Sequence, residues 1–168
     1  MAEFWSILDI NGNETGRLHE RGKPMFKGEY HLTVNVWIEN DKGEFLISKR
    51  SSNKQFPNLW ESTGGNAVAF DDSLTTAIKE VKEELGITLE AKNGKKIKNH
   101  LRLCTACKHC LADIWLFRQN VDITTVILSS ETSDVKWASR TEIKRMIAEK
   151  TFATWGLFED IDELFELT

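Results

Sequence analysis

Glu80, Glu83 and Glu84 are the residues of this chain whose types and spacing point most directly to chemistry. On a helix, positions three and four apart share a face, so these carboxylates converge on one patch. Like charges at that spacing cost roughly a few tenths of a kcal/mol per pair, and the crowding calls for something positive. Hard divalent cations take oxygen ligands, and Mg²⁺ is usually held by a few carboxylates together with the phosphates of a substrate. The patch therefore suggests metal-assisted phosphate chemistry. The plainer reading is a solvated acidic face with Lys79 and Lys82 as counter-charges, and the surrounding residues argue against it.

Those residues build a helix with defined ends. Leu74, Ala77, Ile78, Val81 and Leu85 recur at the spacing of a core-facing stripe in a helix beginning near Asp72. Gly86 closes it as a glycine stop. Gly64 and Gly65 precede it, and Asp71 stands before its first turn, either as a helix cap or as an acid at the metal.

At this point the stretch resembles the signature of the Nudix hydrolases: Gly, five residues, Glu, seven residues, then Arg-Glu-apolar-any-Glu-Glu-any-Gly-apolar. The matching positions are Gly65, Asp71, Lys79, Glu80, Val81, Glu83, Glu84, Gly86 and Ile87. Two depart from it, Asp71 for Glu and Lys79 for Arg. By resemblance the position of Lys79 orients the catalytic glutamate, and lysine is a flexible point charge without the planar fork of a guanidinium.

Composition sets the frame. With 168 residues, 40% hydrophobic and 29% charged, a single domain over 1–168 is expected. A net charge of −4 argues against general affinity for nucleic acid or an anionic membrane. No apolar run has the length of a membrane span, and the opening residues lack a basic region followed by an apolar core, so a cytoplasmic location is expected. Cys104, Cys107 and Cys110 lie in CTACKHC. Their odd number argues against a disulfide framework. A metal reading with His109 or His100 lacks the two separated ligand pairs of a structural zinc site, so small buried thiols at a strand end are expected.

Along the chain, 3–9 read as a strand. HLTVNVWIEN alternates as a half-buried strand, and EFLISKR is its antiparallel partner across Asp41-Lys42-Gly43. ITLEA reads as a short strand and KNGKKIK as a lysine-rich turn or phosphate-facing rim. NHLRLCTAC and HCLADIWLFRQN read as paired strands, and SSETSDVKWAS as the last strand. A helix follows Ser139, with Glu142 completing a capping box. An acidic amphipathic helix ends the chain, able to bury against its own domain or against a second copy, which leaves a homodimer open.

From residue 3 to 87 the chain is similar to one Nudix subgroup, that of type I isopentenyl-diphosphate isomerase. The features are Thr15-Gly16, Tyr30-His31 before the VWI strand, the Lys49-Arg50 strand end, and Phe56-Pro57 with Trp60. That subgroup places a catalytic cysteine and metal-binding histidines where this chain has Gly65, Ala67 and Pro24, leaving only His31. The parts for an isomerase are missing, while those for attack on a diphosphate are kept. Glu131, six residues before Trp137, falls where isomerase-like members carry an acid near the metal.

The order of elements suggests a mixed β-sheet between helices, and the resemblance implies the same α/β/α sandwich. It implies a Mg²⁺- or Mn²⁺-dependent, MutT-like hydrolase of a small-molecule diphosphate, such as a nucleoside diphosphate derivative. The expected metal ligands are Glu80, Glu83, Glu84 and Glu131, with Lys79 positioning Glu80. Arg50, Lys49 and Gly65 are the expected substrate-binding positions. The rival readings are a degenerate domain that binds without turnover and, less favoured, the isomerase.

Overall fold

The computed structural model describes residues 2–103, 108–158 and 160–168. Strands β1 (Phe4–Leu8) and β2 (Glu14–Glu20) form an antiparallel pair of their own. The main sheet contains β3 (His31–Glu39), β4 (Phe45–Arg50), β5 (Trp60–Glu61), β6 (Thr63–Asn66), β7 (Gly94–Leu103), β8 (Cys110–Arg118) and β9 (Thr132–Ala138). Its path runs β5-β4-β3-β8-β7, with β6 paired to β3 and β9 to β4. The β3–β8 pair is parallel and the others are antiparallel, so the sheet is mixed, as the order of elements implied.

Strand alternation distributes the core to two faces. Val34, Val36 and Ile38 of β3, with Leu46, Trp115 and Phe117, pack against Ala77, Val81 and Leu85 of α1 (Ser73–Leu85). Trp37, Phe45, Ile47, Ala112 and Ile114 pack the other way, against Ile143 and Met146 of α2 (Arg140–Ala148) and Leu164 and Phe165 of α3 (Asp162–Leu167). Helices on both faces make the expected α/β/α sandwich.

One feature of the sheet creates a cavity. Strands β3 and β4 pair through Glu39 and Phe45 beside the turn. Beyond it β6 takes the edge of β3, from Thr33↔Asn66 to Val36↔Thr63, while β5 and β9 take the two edges of β4. The sheet forks, and the opening of the fork holds a cavity of about 240 Å³.

Local chemistry departs from the sequence reading at several points. The cap of α1 is Asp72, whose Oδ1 accepts from the Thr75 amide at 2.7 Å, not Asp71. Ser139 caps α2 as expected, accepting from the Glu142 amide at 3.2 Å, but the Glu142 carboxylate is drawn to Lys136 at 2.6 Å. ITLEA is no strand; Ile87 and Leu89 are buried beside α1 without ladder partners among the described residues, and a short 3₁₀ turn follows at Ala91–Asn93. The lysine-rich turn is the start of β7, where Lys96 reaches the buried Asp113 at 2.9 Å and Lys98 reaches Glu163 at 2.8 Å. Ladder pairing with β8, from Gly94↔Phe117 to Leu103↔Cys110, makes this segment a strand in spite of its loop-like composition.

Cys110 is buried at the start of β8, with its sulfur 3.3 Å from Nε2 of His31. It belongs to a disulfide, contrary to the expectation of three free thiols. Cys104 and Cys107, and the side chain of His100, lie outside the described residues. His31 is stacked on Trp5 at 4.0 Å, and burial pulls its imidazole down to about 4, so it is a neutral structural residue near pH 7. No helix among the described residues is long and apolar enough to cross a membrane.

Candidate active site

Helix α1 presents its acidic stripe beside β6. Glu84 is buried, Glu80 half-buried and Glu83 exposed. Burial, reinforced by the neighbouring charges of Glu83 and Glu131, pushes the Glu80 carboxyl up to about 7. Burial likewise pushes Glu84 up to about 7; Lys54 opposes the rise, while Glu61, Glu80 and Glu131 add to it. Two carboxyl groups are thus held in surroundings where their negative charge is under-compensated.

Gly65 explains how Glu80 fits. A Cβ built on Gly65 would overlap the Glu80 carboxylate. Only glycine lets that side chain come up against β6. Its neighbour Gly64 has a different reason, since a Cβ there would overlap the backbone carbonyl of Val34 on the paired strand.

The positive partner present is Lys54, from the loop between β4 and β5. Its ammonium lies 2.5 Å from Glu131 and 3.5 Å from Glu84. The hydrogen bond from Lys54 holds the Glu131 carboxyl below its ordinary value. Lys54 was not anticipated, because it sits in a polar loop with no periodicity and becomes informative only once that loop lies across α1. The structure thus brings Glu131 into the electrostatic neighbourhood of Glu80 and Glu84, although it is far from them in sequence.

Other expected site residues are engaged elsewhere. Lys79 donates to Oδ2 of Asp71 at 2.6 Å. Arg50 grips Glu61 through Nη1 at 2.8 and 3.0 Å, donates to the Gln55 carbonyl at 2.9 and 2.7 Å, and lies 5.1 Å over the Trp155 ring. It lines the fork cavity without presenting an open fork of donors. Lys49 lies 5.8 Å over the ring of Trp60, which packs against the α2-side core, so Lys49 is not brought to the acidic stripe.

Among the described residues, no group of three or more His, Cys, Asp or Glu side chains is arranged to hold a metal ion. The donor chemistry nevertheless fits a hard cation: Glu80 and Glu84 offer half-buried and buried carboxylate oxygens that repel one another, and Glu84 already attracts an ammonium. The cavity wall adds residues that sequence reasoning missed. Glu61 is buried, raised by burial, and accepts from Nε1 of Trp155 at 3.1 Å. These partners are 94 residues apart, a distance no motif spans.

Residues 29–159 match the sequence profile of the NUDIX domain. An uncharacterized Nudix hydrolase of Listeria innocua is 32% identical over 169 residues, spanning 98% of this chain and 95% of that protein. An isopentenyl-diphosphate Delta-isomerase of Aliivibrio fischeri is 25% identical over 178 residues, 92% of this chain and 91% of its own. A crystal structure of a Deinococcus radiodurans protein shares the fold, with a TM-score of 0.72 at 21% identity over 98% of each chain.

Proposed function

The chain belongs to the Nudix family and is a Nudix-type hydrolase; from that premise we propose that it cleaves the pyrophosphate linkage of a nucleoside diphosphate derivative or similar diphosphate, using Mg²⁺ or Mn²⁺. The observation that carries this reading is the Glu80 carboxylate lodged against a glycine that leaves space for it, in line with Glu83 and Glu84.

Glu80, Glu83 and Glu84 would hold the ion, with Glu131 across from them. Bound there, it supplies polarisation of the phosphoryl oxygens and a lowered pKa for bound water. Glu80, raised toward 7 by burial and by Glu83, is suited to hold a proton at its carboxylate near neutral pH. Lys79, tied to Asp71, fixes the segment before α1 to the turn that carries Glu80. Lys54 is the cation best placed to meet a phosphate oxygen, because the Arg50 guanidinium is committed to Glu61 and the Lys49 ammonium to Trp60. Arg50 then acts by shaping the cavity wall.

The test is a panel of diphosphate compounds read out by phosphate release, with and without Mg²⁺ or Mn²⁺, at pH 7 to 9. Turnover of at least one member only with metal is expected; no turnover of any member overturns the reading. Glu83→Gln and Glu84→Gln should abolish metal binding without lowering the melting temperature in EDTA. Unchanged metal affinity in both would make the stripe ordinary surface.

A further inference from the structure

The fork cavity meets the acidic stripe at one residue, Gly65, which lines the cavity and whose missing side chain faces Glu80. At about 240 Å³ it is smaller than pockets that enclose a whole drug-sized ligand. It therefore suits one end of a substrate whose diphosphate lies over the carboxylates. Its wall includes the polar residues Asn35, Glu61 and Ser62, the two glycines Gly64 and Gly65, and Trp155.

Asn35 is the residue this wall leaves incomplete. It lies on β3 opposite Gly64 and is 6% exposed. Its Nδ2 donates to Ser62 Oγ at 2.7 Å, while Oδ1 has no hydrogen-bond partner among the described residues. A buried amide oxygen left unpaired costs about 1–3 kcal/mol. Glu61, another acceptor of the wall, is already occupied by Arg50 and Trp155. Asn35 Oδ1 is thus a buried acceptor in the wall left for a ligand.

We propose that Asn35 is a specificity-determining residue: the cavity takes the planar heterocyclic end of the substrate, and Asn35 Oδ1 accepts a hydrogen bond from an exocyclic amine on it. The nucleoside class rests on the function proposed above. What Asn35 adds is preference for amino-bearing over oxo-bearing bases, because an oxo group would set two acceptors against each other and leave both unpaired.

The test uses matched nucleoside monophosphates, AMP against IMP and CMP against UMP, titrated calorimetrically into the protein with Mg²⁺ present. The amine-bearing member of at least one pair should bind about tenfold tighter, the worth of one good hydrogen bond. Asn35→Leu should bring that ratio to near one, and Asn35→Asp, which keeps the acceptor, should retain it. Should Asn35→Leu not fold, Asn35→Ala serves the same purpose, with melting temperature as the folding control. Equal affinities in the wild type, no binding of any of the four at millimolar concentration, or a ratio that survives removal of the amide each overturn the proposal. None of these bears on hydrolysis, which the diphosphate panel reads independently.

Discussion

The ammonium of Lys79 stands 2.6 Å from Oδ2 of Asp71. These are the two positions at which the chain departs from the Nudix signature, and they are partners in one ion pair. The lysine's reach fits the shortened acid, so the two departures make sense together.

This pair should contribute little to global stability, since the Lys79 side chain is 51% exposed and such pairs are worth about 0–1 kcal/mol. A double-mutant cycle with Asp71→Asn and Lys79→Met, followed by urea unfolding, should give a coupling below about 1 kcal/mol. A larger coupling would make the pair a structural anchor of α1.

The two adjacent glycines should fail differently. Gly64→Ala drives a methyl into the Val34 carbonyl; neither backbone can yield cheaply, and a loss of about 3 kcal/mol, or ~6–12 °C, is expected by thermal melting. Gly65→Ala meets only the end of the Glu80 side chain, which can swing aside. Its melting temperature should stay within about 4 °C of wild type, while kcat falls by about tenfold or more because Glu80 is displaced.

Stability in EDTA should depend on pH in a defined sense. Glu80 and Glu84 have folded pKa values near 7, above their unfolded value of 4.5, so the stability tied to their protonated forms is complete below about 4.5 and is lost as pH rises through 7. His31, lowered to about 4 from 6.5, works the other way, adding stability as pH rises from 4 to 6.5. Glu131, lowered by Lys54, is ionised across this window. Urea melts of the wild type should show stability declining between about pH 4.5 and 7, offset in part by His31 up to 6.5, and levelling off above 7. The Glu80→Gln, Glu84→Gln double variant should lose that decline and show instead the rise between about pH 4 and 6.5 that His31 supplies.

Lys54→Met removes the ammonium that Glu84 and Glu131 share. Metal-free protein should become less stable at pH 8 than at pH 5.5 relative to wild type, because the charged Glu84 then lacks its partner. Mn²⁺ should bind about fivefold tighter by calorimetry, matching loss of a competing partly exposed pair worth ~1 kcal/mol. KM for a diphosphate substrate should rise. Weaker Mn²⁺ binding would show that Lys54 supports the carboxylate geometry instead of competing for it.

The sequence alone determined the helix that carries Glu80, Glu83 and Glu84, because local rules govern it: a 3.6-residue apolar stripe, a glycine stop and carboxylates three and four apart are all written within one element. It determined the sandwich too, through the alternation of HLTVNV and ADIWLF between two faces. It misread β7, where the ion pairs of Lys96 and Lys98 with Asp113 and Glu163 come from other elements. Only the tertiary structure decided what surrounds the glutamates. Lys54 and Glu131 from separate loops, and Arg50, Glu61 and Trp155 across the forked sheet, meet through contacts between residues far apart in the chain. A carboxylate's affinity for a proton or a cation depends on burial and on the charges near it in space, and neither quantity is local to the residues that carry it.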